Sequence, residues 1–399
     1  MPSTVDPARR FLVTAALGAS ATLPWSGLSF AASRNESGRR FVLVILRGGM
    51  DSLSAVPAIG DPDFAGARGP LARFAAPPLP LEGPFALHPN LAALHAMYGG
   101  RELAVVHAVG LPYRERSHFD AQQVLESGGV RPFELATGWL GRALGDSGAK
   151  AIALNTTVPL VLRGRAAVDT WAPSTLPEPT PDLVARIERM YRDDGALAAA
   201  LERARALHLD GAAMAGVDDA MSSPAATRGA FVALARRAAE FLVQPAGPQA
   251  AVLELGGWDT HANQTNPNGA LANTLRQLDG GLAALRERLV AGGAWKRTVV
   301  VVASEFGREV AINGTLGTDH GTGGAAFVLG GGIKGGRVLG DWPGLARKDR
   351  FEGRDLRTTT DLRAVLKGVL GDHLQIARAR LDGDVFPESQ ALRPLALFA

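Results

Sequence analysis

The 399-residue sequence contains no cysteine. That excludes disulfides, a cysteine nucleophile and thiolate metal ligands, so any metal must be held by histidines and carboxylates. Charge of one sign is also scarce: the formal net charge is +3, and removing residues 1–31, which carry +1, leaves +2. No basic block interleaved with aromatics is present, which argues against nucleic acid as a partner. Beyond the N-terminus no segment approaches eighteen consecutive apolar residues, so no stable membrane span is expected in a mature chain. There is no internal repeat. With 46% hydrophobic and 20% charged residues the chain can bury a large core, and 48 glycines and 25 prolines predict many tight turns.

The first residues read as a targeting segment. Arg9-Arg10 precede an apolar run to Leu23, and a stretch of small residues ends at Ala31. Basic, apolar and small-residue regions in that order form a secretory signal. The arginine pair before Phe11-Leu12 resembles a twin-arginine signal, although the residue that usually separates the pair from Phe is missing. The expectation is a twin-arginine-like export signal over residues 1–31, read by export machinery, and a periplasmic or secreted bacterial protein.

Short apolar runs predict strands at Arg39–Leu46, Leu103–Val109, Ala151–Leu154, Ala251–Leu255, Thr298–Ala303 and Ala325–Leu329. Helical patterns cover Asn90–Tyr98, His118–Ser127, Pro181–Leu209, Arg228–Val243, Ala270–Val290 and Thr360–Leu370. Strands apolar on both faces alternating with helices imply an α/β fold, a doubly wound and mostly parallel sheet covered on both faces. One domain over residues 39–399 is expected, with insertions near 57–89 and 173–221, the second one helical.

In open parallel sheets ligands bind beyond the carboxyl ends of the strands. Four strand ends here carry chemistry. Asp51 follows Arg47-Gly48-Gly49-Met50. Asp259 and His261 follow Gly256-Gly257-Trp258. Glu305 and Arg308 follow Ala303-Ser304, and Asp319-His320-Gly321 precedes the last strand. Carboxylates and imidazoles suit divalent cations, and the set does not distinguish zinc, manganese, magnesium or calcium. His88, His95, His107, His208 and His373 stand alone and read as packed or surface residues. Ser117 precedes the helix at His118, where it is either an N-cap or a hydroxyl poised for nucleophilic attack. Arg114 and Arg116 can fork onto an anion. His118 and Asp120 are either further ligands or helix-face residues.

Five blocks occur in order: Leu46-Arg47-Gly48-Gly49-Met50-Asp51, Arg116-Ser117-His118-Phe119-Asp120, Gly257-Trp258-Asp259-Thr260-His261, Ser304-Glu305-Phe306-Gly307-Arg308 and Thr318-Asp319-His320-Gly321. Together they resemble the exported bacterial family called domain of unknown function 1501, placed in the alkaline-phosphatase and sulfatase-like superfamily. The resemblance implies a doubly wound sheet of alkaline-phosphatase type, with metals flanking a nucleophile. It implies Ser117 as nucleophile, Asp51 as a ligand from the first strand, and Asp259, His261 and His320 as ligands of one cation. Glu305 stands where the superfamily has an Asp-His pair, so the second cation site lacks its histidine, and Arg308 replaces a metal charge. Asp319 is counted with the metal set, and Arg47 and Arg308 with the groups that stabilise an anionic transition state. The expected activity is metal-dependent hydrolysis of a small anionic phosphate or sulfate ester. The alternative is an exported binding or assembly protein that keeps the fold without the chemistry.

Overall fold

The computed structural model of the protein describes residues 38–145, 147–173, 179–212 and 224–398. The export signal expected over residues 1–31 lies outside them, as do parts of the insertion near 173–221. No helix among the described residues is long and apolar enough to cross a membrane.

The strands are β1 (Arg40–Leu46), β2 (Leu79–Pro80), β3 (Ala86–Leu87), β4 (Leu103–Gly110), β5 (Lys150–Ala153), β6 (Ala167–Thr170), β7 (Ala250–Leu255), β8 (Thr298–Ser304), β9 (Gly324–Gly330), β10 (Arg337–Leu339) and β11 (Thr360–Asp361). Nine of them form one sheet in the order β10-β4-β9-β8-β1-β7-β5-β6, with β11 on the end of β4. β2 and β3 make a separate antiparallel hairpin within the Pro- and Gly-rich stretch before residue 89. In the large sheet every pairing is parallel except those of β9, which runs against both β8 and β4. The carboxyl ends of β1, β4, β7 and β8 therefore share one edge with the start of β9.

The helices that matter below are α1 (Ser52–Ala55), α2 (Phe64–Arg68), α3 (Ala92–Gly99), α4 (His118–Ser127), α5 (Trp139–Leu144), α6 (Pro181–Tyr191), α7 (Gly195–Ala212), α8 (Pro224–Val243), α9 (Ala270–Ala291) and α10 (Leu362–Asp372). Alternation along β1 shows how they are placed. Val42, Val44 and Leu46 join a core with residues of α1, α3, α8 and α9. Phe41, Leu43 and Ile45 join a second core with residues of α4, α5 and α10. A strand buried on both faces selects a continuous apolar sequence, and β8 (TVVVVAS) adds β-branched residues that suit a pleated backbone.

One correction concerns the helix expected over Pro181–Leu209, which is two helices. Asp194 ends the first by capping the next: its carboxylate accepts from the backbone N–H groups of Ala196 and Leu197, each at 3.0 Å. An Asp followed by Gly is a strong restart signal for a helix, and it overrides the continuous apolar pattern.

Candidate metal centre

Three loops bring three imidazoles and one carboxylate to the shared edge. His118 opens α4, beyond β4. Asp259 and His261 follow β7, and His320 precedes β9. The local backbone is specialised for this approach. Gly48, just past β1, has φ +119°, and a Cβ there would lie 2.5 Å from the Asp259 nitrogen. A Cβ on Gly321 would lie 2.4 Å from the Arg308 carbonyl carbon, so the residue after His320 must be glycine for these two chains to touch.

The Nε2 atoms converge. His118 Nε2 lies 3.0 Å from His320 Nε2, which lies 3.1 Å from His261 Nε2. Asp259 Oδ1 is 2.9 Å from His261 Nε2, 3.2 Å from His320 Nε2 and 3.5 Å from His118 Nε2. A tetrahedral cation with bonds of about 2.0–2.1 Å has ligand–ligand edges of about 3.3–3.4 Å. These separations fall around that value.

The opposite nitrogen of each ring is anchored. His118 Nδ1 is 2.7 Å from Glu305 Oε1, and His261 Nδ1 is 3.0 Å from Asp319 Oδ1. His320 Nδ1 is 3.0 Å from the Arg116 carbonyl oxygen. A carboxylate or carbonyl oxygen can only accept, so each Nδ1 carries a proton, and a ring in its neutral form turns its Nε2 lone pair inward. Carboxylates and carbonyls behind the distal nitrogen are the usual supports of metal-binding histidines. The supports are themselves held. Glu305, which is almost fully buried, also accepts from the Gly48 N–H at 2.8 Å, the Ser304 hydroxyl at 2.9 Å and Gln122 Nε2 at 3.3 Å. Asp319 accepts from Asn313 Nδ2 at 3.1 Å.

The acid–base character follows from these contacts. The hydrogen bond to Glu305 raises the His118 pKa, against the effect of burial. Burial, together with the charge of His118, lowers that of His320. Burial alone would raise the Asp259 carboxyl, but hydrogen bonding to Arg308 and the charge of that guanidinium bring it down to about 2. The Asp259 side chain is 47% exposed, which leaves the centre open to solvent and to a ligand.

Arg308 is 2% exposed and spends its N–H groups on the same loops. It donates to the carbonyls of Gly49 (2.8 Å), Gly48 (2.7 Å), Trp258 (3.1 Å) and Thr318 (2.9 Å), and to Asp259 Oδ1 at 2.5 Å, and its Nη1 also lies 3.3 Å from His261 Nε2. It fastens the ends of β1 and β7 to the segment before β9.

Asp259, His261 and His320 lie together, with Glu305 and Asp319 behind the rings rather than among the inward atoms. His118, left open as a ligand or a helix-face residue, supplies a third imidazole. Its signal was its place between Ser117 and Asp120 at a helix start after β4. Asp51 is the residue that falls elsewhere. It caps α1, accepting from Ser54 N at 3.1 Å and Ser54 Oγ at 2.8 Å, and it pairs with the buried Arg68 at 2.6 Å. A carboxylate already neutralised inside the protein is not available to a cation at the edge. Ser117 caps α4 with its hydroxyl 3.5 Å from Asp120 N. Arg47 is held by Glu126 and Glu254, each at 2.7 Å. Arg116 is held by Asp355 at 2.8 Å and Glu352 at 2.5 Å. Arg114 donates to the Thr358 hydroxyl at 2.7 Å and makes no ion pair among the described residues. His107 and His373 are packed in the interior, as lone histidines usually are.

The profile of the family described as Protein of unknown function (DUF1501) matches residues 86–386. The chain belongs to that family. Four of the five sequence blocks, including every residue of the imidazole cluster, lie within the matched span of this DUF1501 protein. No curated protein matches its sequence. Solved structures resemble it at low identity. BT1596, a 2-O GAG sulfatase, shares 12% identity with a TM-score of 0.44, covering 89% of this chain and 74% of that one. The lipoteichoic acid synthase LtaP from Listeria monocytogenes shares 10% with a TM-score of 0.41, over 88% and 76%. Human ectonucleotide pyrophosphatase/phosphodiesterase 5 shares 12% with a TM-score of 0.32, over 67% and 56%. Likeness this distant carries no information about chemistry, which must be read from the side chains.

Proposed function

We propose that this DUF1501 protein is an exported hydrolase of phosphate or sulfate esters that works with a divalent cation held by His118, Asp259, His261 and His320. One observation carries the proposal: three inward Nε2 atoms and a carboxylate oxygen at cation-sized separations, with an oxygen acceptor behind each ring. A cation there supplies Lewis acidity toward an ester oxygen and acidifies water. Glu305, Asp319 and the Arg116 carbonyl fix ring orientation and tautomer. Arg308 keeps Asp259 ionised and aimed inward. Arg114, which makes no ion pair among the described residues although the charge of Asp361 acts on it, is the arginine this reading assigns to an ester's anionic oxygens. In this reading water is the nucleophile and Ser117 caps α4.

The test is metal analysis of the purified protein, followed by turnover of p-nitrophenyl phosphate, bis-p-nitrophenyl phosphate and p-nitrophenyl sulfate. Tight binding of one divalent ion, hydrolysis of at least one ester, and retained turnover in Ser117→Ala are expected. Loss of turnover in that variant with metal retained would make Ser117 the nucleophile. A second reading, a metal-binding or assembly protein without hydrolysis, is favoured by the arginines: Arg47 and Arg116 are already paired with carboxylates, and Arg308 is spent on carbonyls. Metal without turnover on any ester would establish it.

A further inference from the structure

Away from the imidazole cluster, at the far end of the Trp258–Gln264 loop, a cleft with about 90 Å³ of room opens between the segment after α2 and the start of α9. A single water needs about 10–15 Å³ of such space, so the cleft takes a ligand of several heavy atoms. Leu71, Phe74, Pro89 and Leu271 give it an apolar lining, and Arg73 and His88 are its cationic and imidazole members.

Arg73 and His88 favour an acceptor, while the unpaired Gln264 Oε1 on the wall toward Asp51 favours a donor. Arg73 is exposed and makes no ion pair among the described residues. Arg276, close enough to act on the charge of His88, donates only to the Pro267 carbonyl and Asn273 Oδ1. His88 Nδ1 accepts from Asn90 N at 3.0 Å, which leaves the proton on Nε2. Burial, with the charge of Arg276, lowers the His88 pKa to about 4, so the ring is neutral at pH 7. The negative charge of Asp51 acts on His88 in the opposite sense to Arg276, and Asp51 is itself paired with Arg68. The wall toward the metal loop is rigid: Gln264 donates to Thr260 Oγ1 at 2.9 Å and to Asp51 Oδ2 at 3.3 Å.

We infer that this cleft is a binding site for a small organic anion, a carboxylate on a flat apolar body, with the anion on Arg73 and the body against Phe74 and Leu271. The charge is complementary, and the guanidinium fork matches a carboxylate bidentately. The inference is independent of ester hydrolysis at the metal centre.

Benzoate is the probe, with benzamide as its uncharged counterpart, and binding is read by titration calorimetry and by ligand-observed NMR. Saturable benzoate binding is expected, with benzamide and the Arg73→Gln variant each weaker by about 10-fold, the loss of a charge-assisted pair of hydrogen bonds. Ala76→Trp, at the exposed rim, should block binding while the melting temperature stays within a few degrees. His320→Ala should bind benzoate as the wild type does. Absence of saturable binding, binding indifferent to Arg73→Gln and Ala76→Trp, or binding lost in His320→Ala would each overturn the inference. The last would place the anion at the imidazole cluster instead.

Discussion

His118 Nε2 and His320 Nε2 stand 3.0 Å apart, brought together across 202 residues of chain. Both rings have an oxygen acceptor behind Nδ1, so the contact sets lone pair against lone pair unless a proton or a metal lies between them. That frustration is what a bound cation would relieve, and it supports the proposed site.

The ligand assignment predicts a graded loss. His118→Ala and His320→Ala each remove an inward nitrogen. Glu305→Gln keeps all four inward atoms and weakens the support of His118, along with the bonds Glu305 accepts from Gly48, Ser304 and Gln122. Loss of a supporting partner commonly costs about 10–100-fold in metal affinity, and loss of a ligand at least as much. Metal titration of the three variants should place Glu305→Gln between wild type and the two alanine variants. Wild-type affinity in His118→Ala would remove His118 from the set.

Proton binding by the metal-free protein should be split between the two rings. Glu305 raises His118, while burial and the charge of His118 lower His320, so His118 is the first of the two to take up a proton as pH falls. For His118 the stabilisation is fully present below its unfolded pKa of about 6.5 and is lost as pH rises through the higher folded value. For His320 the cost is present at low pH and disappears as pH rises past about 6.5. Metal competes with protons for these nitrogens, so metal affinity should fall as pH drops through the His118 titration. Ring-proton NMR against pH checks this. Two titrations at the ordinary imidazole value would contradict it.

Asp51 and Arg68 are 1% and 0% exposed, a fully buried ion pair. Asp51→Ala leaves a buried guanidinium without its carboxylate, which typically costs about 3–5 kcal/mol. The melting temperature should fall sharply while metal content per folded molecule stays unchanged. Loss of metal from still-folded Asp51→Ala would return this residue to the ligand set.

Export is proposed on Arg9-Arg10 and the apolar run that follows. Changing both to Lys keeps the charge but removes the pair read by the twin-arginine receptor. Precursor should then accumulate in the cytoplasm. Unchanged export would indicate the general secretory route.

The core strands were legible because each is buried on both faces and reads as an uninterrupted apolar run. β6, β10 and β11 were not: they are short edge or flanking strands, partly exposed, with no such run. Site residues were legible as types after strand ends. Their partition between inward ligands and supports was not, because spacing along a loop does not say which atom of a ring or carboxylate faces the centre. Asp51 shows the limit most sharply. What takes it out of the site is Arg68, seventeen residues later in a stretch that reads only as loop.

The reversed course of β9 bears on how such a centre can be assembled. Parallel neighbours need a long crossover between them, whereas an antiparallel pair can be joined by a loop that stays on one edge. Glu305, Arg308, Asp319 and His320 therefore arrive on one β8–β9 hairpin, bridged where Arg308 pairs with His320. Contacts this local close quickly, while those to His118 must wait for distant chain. The hairpin is a contiguous unit that carries one proposed ligand, the two carboxylates behind the rings and the arginine that ties them, while the other proposed ligands come from the loops after β4 and β7.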